Sequence, residues 1–312
     1  MSKELYHIPV LLHEVIRYLN PAPGKRYIDA TLGGGGHCEA LLQAGAVVLG
    51  IDRDPEALAH AREHLKEYLE ARPGPNNLRT DNLKNAPGRV LTLIKGDFGQ
   101  LTELALPTGF KSVDGILFDF GVSSHQLEDP SRGFSFKAKA LLDMRMDPEG
   151  QKVTAADLIN KLPENDIAEI IKNYGQEHRA FQLAHAIVRA RGLSPITTTE
   201  QLAAIVVRNR PRSKGDKIHP ATRTFQALRI AVNWELESIA KALEAVPGLV
   251  QSKGVFVAIS FHSLEDRLVK NFLKNNKEIM EIITKKPITP TDLEIKTNPK
   301  SRSAKLRVAI KK

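Results

Sequence analysis

Three acidic residues stand where apolar, strand-like segments end, and this placement points to ligand chemistry. They are Asp52 and Asp119, which end the second and fourth predicted strands, and Asp97, which follows the third. Ligands of open α/β sheets bind beyond the carboxyl ends of parallel strands, where carboxylates can accept hydrogen bonds from hydroxyl or ammonium groups. Each aspartate alone is as typical of a helix cap or a turn. Three of them on successive strands favour a ligand site.

A glycine-rich turn closes the first predicted strand and begins with a further acid, Asp29. Asp29–His37 reads DATLGGGGH. Glycines let the backbone turn tightly and approach a ligand closely, although such a run alone is equally compatible with a simple tight turn. NAD is the rival ligand, but the turn lacks a clean G-x-G-x-x-G pattern. An acid just inside the turn suits a cofactor with a cationic amino-acid end, such as S-adenosylmethionine.

The elements that position these residues alternate between strands and helices. The helix after the second strand is predicted to open at Asp54–Glu56, with an N-cap and a first-turn proline. Such alternation with buried strands predicts a parallel, doubly wound α/β sheet. The predicted strands are Tyr27–Ala30, Ala46–Ile51, Val90–Ile94 and Val113–Phe120.

Helical patterning replaces this alternation after Asp119, which predicts a helical domain inserted after the fourth strand. It covers Leu141–Arg208 and a long amphipathic segment, Thr222–Ala245, before strand character returns at Val255–Ile259. A final strand is predicted at Ala304–Ile310, and Arg72–Arg89 reads as an exposed loop without an assigned function. The predicted division is 1–128 (first part of the α/β domain), 129–218 (inserted substrate-binding domain) and 219–312 (second part, with a basic tail).

Composition restricts the class of protein. The single cysteine, Cys38, excludes an internal disulfide and a cysteine-based zinc site. We find few clusters of potential ligands at metal-binding spacing, so no catalytic metal is expected. No apolar run approaches the roughly 20 residues of a membrane span, and the N-terminal residues lack a signal-peptide core. These features predict a cytoplasmic protein.

The net charge of +9 favours a polyanionic partner, although it can also serve solubility alone. All charged residues within Lys296–Lys312 are basic, and a second basic cluster lies within Arg208–Lys217, interrupted by Asp216. Both stretches contain proline, serine or asparagine. We therefore expect flexible loops that follow a phosphate backbone.

Longer motifs spread over nearly the whole chain resemble one family, the 16S ribosomal RNA cytosine-N4 methyltransferases known as MraW or RsmH. The motifs are long and occur in order, so the resemblance is specific. They are HIPVLL (His7–Leu12), DFGVSSHQL (Asp119–Leu127), RGFSF (Arg132–Phe136), LDMRMD (Leu142–Asp147), HPATRTFQALRI (His219–Ile230), SFHSLEDR (Ser260–Arg267) and NPKSRSAKLR (Asn298–Arg307).

The resemblance implies a class I, Rossmann-like methyltransferase that uses S-adenosylmethionine to methylate a cytidine amine in the decoding centre. The chain departs from the family pattern at Gln176, Phe120 and Cys38. The cofactor contacts that it implies are Gly35, Gly36, His37, Asp52, Phe98, Asp119 and Gln126.

Transfer to a cytosine amine requires acceptors for the amine protons, because the nitrogen lone pair is delocalised into the ring. We expect Asp119 and the carbonyls of the following turn to accept them, with Ser123 or Ser124 assisting. The serines are equally suited to capping a helix. His262 can exchange a proton near neutral pH, although a structural histidine in a turn is the stronger interpretation.

Several residues are candidates for RNA contact. Aromatic residues two positions apart beside an arginine can stack a flipped base, or they can dock the inserted domain. The basic tail is expected to contact the phosphate backbone. The candidates are Arg132, Phe134, Phe136, Arg223, Lys300 and Arg302.

Two other classes of protein compete with the methyltransferase. One is a ribosome-assembly factor that binds RNA without catalysis, and an intact glycine turn with Asp52 and Asp119 argues against it. The other is an NAD-dependent oxidoreductase, disfavoured by the basic tail. The predicted partner is small-subunit ribosomal RNA, which we expect the protein to bind within the assembled subunit. The oligomeric state stays open, a homodimer included.

Overall fold

A computed structural model describes residues 8–70, 90–212, 215 and 218–312. The chain forms two compact units, one of Met1–Gly121 with Leu236–Lys312 and the other of Val122–Glu235. The helical unit is thus longer at both ends than the predicted 129–218. The reason is packing, because apolar side chains beyond those limits join its core. They are Val122, Leu127, Ala221, Phe225, Leu228 and Val232.

A seven-stranded sheet organises the first unit, in the order β3-β2-β1-β4-β5-β7-β6. The first five strands are parallel to their neighbours, as predicted, whereas β7 is antiparallel to both β5 and β6. The parallel sheet predicted from the strands of the first half of the chain is therefore confirmed, and β7 and β6 extend it in antiparallel pairing. The strands are β1 (Arg26–Asp29), β2 (Val47–Asp52), β3 (Leu91–Lys95), β4 (Val113–Asp119), β5 (Val250–Ser260), β6 (Met280–Ile282) and β7 (Lys305–Lys311).

Helices cover both faces of this sheet. Adjacent residues of β2 show this, since Val47 and Leu49 join one apolar cluster and Val48 joins the other. Successive side chains of a strand point to opposite faces, so each cluster is one face. The helices are α1 (Leu12–Leu19), α2 (Gly36–Gln43), α3 (Pro55–His64), α4 (Lys66–Glu70), α5 (Leu101–Ala105), α12 (Glu235–Leu249), α13 (Ser263–Asn275) and α14 (Asp292–Thr297).

The second unit is helical around a single apolar core, as the patterning predicted. The long segment Thr222–Ala245 is not one helix, because Trp234 adopts a left-handed conformation with φ of 53° and separates α11 from α12. Within the described residues, no helix is both long and apolar enough to cross a membrane. The helices of this unit are α6 (Ser124–Glu128), α7 (Ala155–Lys161), α8 (Glu164–Gly175), α9 (Ala180–Leu193), α10 (Thr199–Asn209) and α11 (Thr222–Asn233).

Candidate active site

The turn after β1 is built from glycines that side chains would disturb. Gly35 has a φ of +86°, in the left-handed region that favours glycine, and caps α2. A Cβ atom on Gly36 would lie 2.8 Å from the Pro9 ring. The first turn of a helix also leaves backbone N–H groups without intrahelical partners. The predicted tight turn is confirmed, and its backbone can approach a ligand closely.

Asp52 joins this turn to the end of β2. Its Oδ2 accepts a hydrogen bond of 2.7 Å from the Gly33 N–H, and its Oδ1 accepts one of 2.9 Å from the Asp54 N–H. Burial raises the pKa of the Asp52 carboxyl to about 6, against the effect of these two hydrogen bonds. Each carboxylate oxygen can accept more than one hydrogen bond. The carboxylate can therefore hold its own loop and still accept ribose hydroxyls.

Asp29 and Asp119 end the neighbouring strands β1 and β4, and each keeps one buried oxygen without a hydrogen-bond partner among the described residues. These atoms are Asp29 Oδ2 and Asp119 Oδ1. Thr31 links the two strand ends, since its N–H donates to Asp29 Oδ1 over 3.2 Å and its Oγ1 accepts from the Asp119 N–H over 2.6 Å. A buried polar atom without a partner is costly. The pair therefore suits a ligand that brings N–H donors or positive charge.

Burial also sets the protonation of this pair. It raises the pKa of Asp29 to about 7, with the charge of Asp52 contributing in the same direction. Burial raises the pKa of Asp119 well above its usual range, and the carboxylates of Asp29 and Glu265 raise it further. Both groups consequently bind protons more tightly than ordinary aspartates, which is a property of general bases in enzymes.

His37, the first-turn residue of α2, faces Asp119. Its Nε2 lies 3.0 Å from the Val10 carbonyl oxygen, and its Nδ1 lies 3.9 Å from Asp119 Oδ2. A carbonyl oxygen only accepts, so Nε2 carries the hydrogen and Nδ1 of the neutral ring is an acceptor. The resemblance implied a cofactor contact for His37. The structure adds a basic nitrogen beside the Asp119 carboxyl.

Glu265 is a member of the site that the sequence analysis had not singled out. Its side chain is fully buried, and its Oε2 accepts hydrogen bonds from the N–H groups of Phe261 (2.6 Å) and His262 (3.2 Å). A Cβ atom on Gly121 would lie 3.9 Å from Glu265 Oε1, so this carboxylate is close to the turn after β4. Its spacing to His262 is a capping-box signal, but its burial has no local signal in the sequence.

His262 is the N-cap of α13. Its Nδ1 accepts from the Glu265 N–H over 3.4 Å, and its Nε2 lies 3.0 Å from Glu265 Oε1. Both ring nitrogens are thus directed at one neighbour within the helix cap. This geometry matches the structural interpretation of His262 and gives no support to its prediction as the proton acceptor.

Phe98 follows β3 and is held by its neighbours. Its ring contacts those of Phe118 and Phe120 at centroid distances of 6.1 and 5.9 Å. Asp97 fixes the turn, because it accepts from the Gly99 N–H over 2.7 Å and from the Ser238 hydroxyl over 2.9 Å. Phe98 is partly exposed. It can therefore present an apolar edge to an adenine while its other side packs on the sheet.

Ser123, Ser124 and Gln126 open the second unit. The Ser123 hydroxyl accepts from the Gln126 N–H over 3.2 Å, and Gln126 Oε1 accepts from the Ser123 N–H over 2.9 Å. This is a capping box for α6, with Ser124 and Gln126 buried. The helix-cap interpretation is thus confirmed for Ser123, whose hydroxyl accepts a backbone N–H. The catalytic roles of the serines and the cofactor contact of Gln126 stay predictions.

Two of the residues predicted to contact RNA are in the core of the second unit. The Arg132 guanidinium is buried and donates to the carbonyls of Arg145 (3.2 Å) and Met146 (3.0 Å). Phe134 is buried in the apolar cluster. The prediction of RNA contacts for Arg132 and Phe134 is therefore wrong. Their side chains are needed to pair backbone carbonyls and to fill the core.

The other two candidates in this unit lie nearer its surface. Phe136 is partly buried and stacks on His219 with ring centroids 4.5 Å apart. Arg223, near the start of α11, has a side chain 38% exposed. Neither RNA contact is tested by these positions, and both stay predictions.

The basic C-terminal segment forms the strand β7, which confirms the strand predicted at Ala304–Ile310 and replaces the flexible loop expected from its basic residues. Arg307 is buried in β7 and forms a 2.6 Å ion pair with Asp266, and the Lys311 ammonium donates to the carbonyls of Pro247 and Val250. These two cations hold the strand in place. Lys300 and Arg302 precede β7 and are exposed, as contact with RNA would require. In the second basic cluster, the positions 213, 214, 216 and 217 lie outside the described residues.

The strand order, together with acids at the carboxyl ends of β1, β2 and β4, defines a class I, Rossmann-like methyltransferase fold. The profile of the MraW methylase family matches residues 4–312. The chain belongs to that family.

Curated relatives agree with this assignment over nearly the full chain. A Sulfurihydrogenibium sp. protein named ribosomal RNA small subunit methyltransferase H is 46% identical over 97% of this chain and 98% of its own. A Deinococcus deserti protein of the same name is 47% identical over 99% of this chain and 94% of its own. A solved rRNA methylase from Streptococcus thermophilus is 10% identical, with a TM-score of 0.44, over 97% of this chain and 98% of that one.

Proposed function

We propose that this protein transfers a methyl group from S-adenosylmethionine to the N4 amine of a cytidine in the decoding centre of small-subunit ribosomal RNA. The observation that carries the proposal is the pair of buried, unpartnered oxygens of Asp29 and Asp119 in a chain of the MraW methylase family. The names of the curated relatives support the ribosomal substrate. The substrate that we propose is the assembled subunit in the cytoplasm.

The residues of the first unit fit the cofactor by their chemistry. S-adenosylmethionine supplies an electrophilic methyl group on a sulfonium. The unpartnered Asp29 Oδ2 suits its ammonium group, and the strand-end carboxylate of Asp52 suits the ribose hydroxyls. Gly35, Gly36 and His37 line the turn, and Phe98 offers its partly exposed ring to the adenine. Gln126 completes the set on the strength of the family motif.

Asp119 is the proposed acceptor for the proton that the amine loses. Its unpartnered Oδ1 accepts a hydrogen bond from the N4–H and orients the nitrogen lone pair toward the methyl carbon. As the nitrogen–carbon bond forms and the carbon–sulfur bond breaks, positive charge grows on the nitrogen, and the carboxylate stabilises it. The proton then moves to Asp119, whose raised pKa makes it a stronger base than an ordinary aspartate.

Two neighbours support this role. Nδ1 of His37, 3.9 Å from the Asp119 carboxylate, is an acceptor that can take the proton onward. Glu265 holds the segment after β5 through its hydrogen bonds to Phe261 and His262, and its charge helps to raise the Asp119 pKa. We therefore regard Glu265 as a positioning residue.

Nucleoside analysis tests the proposal. Small ribosomal subunits from cells lacking this gene are incubated with the purified protein and S-adenosylmethionine, and their digested RNA is examined by mass spectrometry. We expect N4-methylcytidine to appear at one site in the RNA. Methylation of another base would overturn the proposed specificity. Cofactor binding without any methylation would instead favour an assembly factor that binds RNA.

A further inference from the structure

We propose that buried Glu177 holds Arg223 in place as a contact for the phosphate backbone of single-stranded RNA. The inference rests on the proposed RNA substrate, and it assigns part of the recognition of that substrate to the helical unit. It brings together basic residues from the two ends of the segment that joins α10 to α11.

The centre of this site is a carboxylate with little access to solvent. The Glu177 side chain is 3% exposed and follows the end of α8. Its Oε1 accepts from the Arg179 N–H over 3.2 Å, and its Oε2 lies 3.0 Å from Arg210 Nε and 3.9 Å from Arg223 Nη1. A buried carboxylate is stable only when it is paired. Glu177, just after α8, is therefore tied to the ends of α9, α10 and α11.

The local sequence allows the helices to meet so closely. A Cβ atom on Gly175 would lie 2.7 Å from the Arg223 carbonyl oxygen, so only glycine fits at the last position of α8. Gln176 then adopts a left-handed conformation with φ of 51° and turns the chain. Its carbonyl oxygen accepts from Arg223 Nη1 over 3.2 Å. The backbone thus orients the guanidinium from one side.

Charge and exposure favour a phosphate ligand. The guanidinium groups of Arg210 and Arg223 both face the Glu177 carboxylate. The closer ion pair, with Arg210, balances the charge of Glu177. Arg223 is left with a weaker pair and 38% of its side chain exposed. Arg179, Arg208 and Arg212 are exposed on the adjoining segments. A planar guanidinium fixed by a backbone carbonyl and a carboxylate is pre-organised for a phosphate oxygen.

The test measures binding of the full-length protein to a fluorescein-labelled, 20-nucleotide RNA of mixed sequence by anisotropy, over a series of salt concentrations. Arg223→Ala should lower the log–log salt slope by roughly 0.7, which corresponds to a loss of affinity of about fivefold at 0.1 M salt. Arg189→Ala is the matched control, because Arg189 is an exposed arginine about 15 Å farther along α9 than Arg179. An unchanged slope for Arg223→Ala, or an equal change for Arg189→Ala, would overturn the proposal.

Glu177→Gln distinguishes positioning from simple charge. Removal of a negative charge should tighten RNA binding if only the net charge matters, whereas loss of orientation should weaken it. We expect weaker binding with an unaltered circular dichroism spectrum, and Arg223→Lys should retain the salt slope because it keeps the charge. Tighter or unchanged binding by Glu177→Gln would refute the positioning role. Methylation of small subunits by the wild type, measured in parallel, separates failure of this inference from failure of the proposed function.

Discussion

Cofactor binding should depend on pH because Asp29 must ionise to attract an ammonium group. With a pKa of about 7, the carboxyl is about one-tenth ionised at pH 6 and half ionised at pH 7, so affinity should rise about fivefold. Asp52, with a pKa of about 6, should add a further factor of about two, for a total of about tenfold. Aspartates with ordinary pKa values would give almost no change in this range.

Isothermal titration calorimetry with S-adenosylmethionine at the two pH values measures this dependence, and buffers of different ionisation enthalpy count the released protons. Asp29→Asn keeps the acceptor for the Thr31 N–H, but this variant should bind S-adenosylmethionine more weakly. Its affinity should rise only about twofold from pH 6 to pH 7, through the ionisation of Asp52. Asp114→Asn is the control, since Asp114 lies near the opposite end of β4. Equal affinity at pH 6 and pH 7, without proton release, would show that Asp29 does not ionise on cofactor binding.

Asp29→Asn should also change the stability of the folded protein. The pKa of Asp29 is higher in the folded protein than its ordinary value of 3.8, so its contribution to stability is lost as the pH rises through about 7. Asp29→Asn should therefore raise the free energy of unfolding at pH 8, by up to roughly 4 kcal/mol, and have little effect near pH 4. Denaturant titrations of the wild type and Asp29→Asn at both pH values measure this change in the free energy of unfolding. A variant less stable than the wild type at pH 8 would contradict the raised pKa of Asp29.

Two further predictions concern packing and the basic segment. Gly133→Ala should destabilise the protein by roughly 3 kcal/mol in denaturant titrations, because its Cβ would collide with the Leu141 carbonyl oxygen at a φ of +70°. Gly192→Ala, in α9 with open space around it, should instead stabilise by about 0.5 kcal/mol, and a similar loss in both variants would contradict the steric argument. Replacing Lys300 and Arg302 by alanine should lower the salt slope of RNA binding by roughly 1.4, whereas Lys311→Ala should lower the melting temperature and leave the slope unchanged. A changed slope for Lys311→Ala alone would show that the strand, not the exposed pair, contacts RNA.

Local signals explain what the sequence predicted well. The strands β1 to β4 are short apolar runs, and Asp52 and Asp119 stand at their ends, where the fold itself determines ligand position. The cap at Asp54 was equally local, and its side chain accepts from the Glu56 N–H as expected. Such features depend on a few neighbouring residues, which a single sequence displays directly.

Features that depend on distant contacts were missed or misjudged. Arg132 has the residue type of a surface contact, but its guanidinium is buried because carbonyls 13 and 14 positions away accept its hydrogen bonds. The burial of Glu265 and of Glu177 depends likewise on the packing of several elements. The direction of β7 has no signature either, since a strand buried on both faces has the same pattern in parallel and antiparallel sheets.

Asp119 is the proposed proton acceptor during methyl transfer to small-subunit RNA. Transfer of tritium from labelled S-adenosylmethionine to small subunits from cells lacking this gene tests it most directly, at saturating cofactor, with Asp119→Ala and the control Asp114→Asn. Since burial raises the Asp119 pKa, its removal should leave the fold intact. We expect Asp119→Ala to methylate the subunits at a rate lower by roughly 10²–10⁴-fold than the wild type, and the control to keep the wild-type rate. Labelling by Asp119→Ala at the wild-type rate would contradict it.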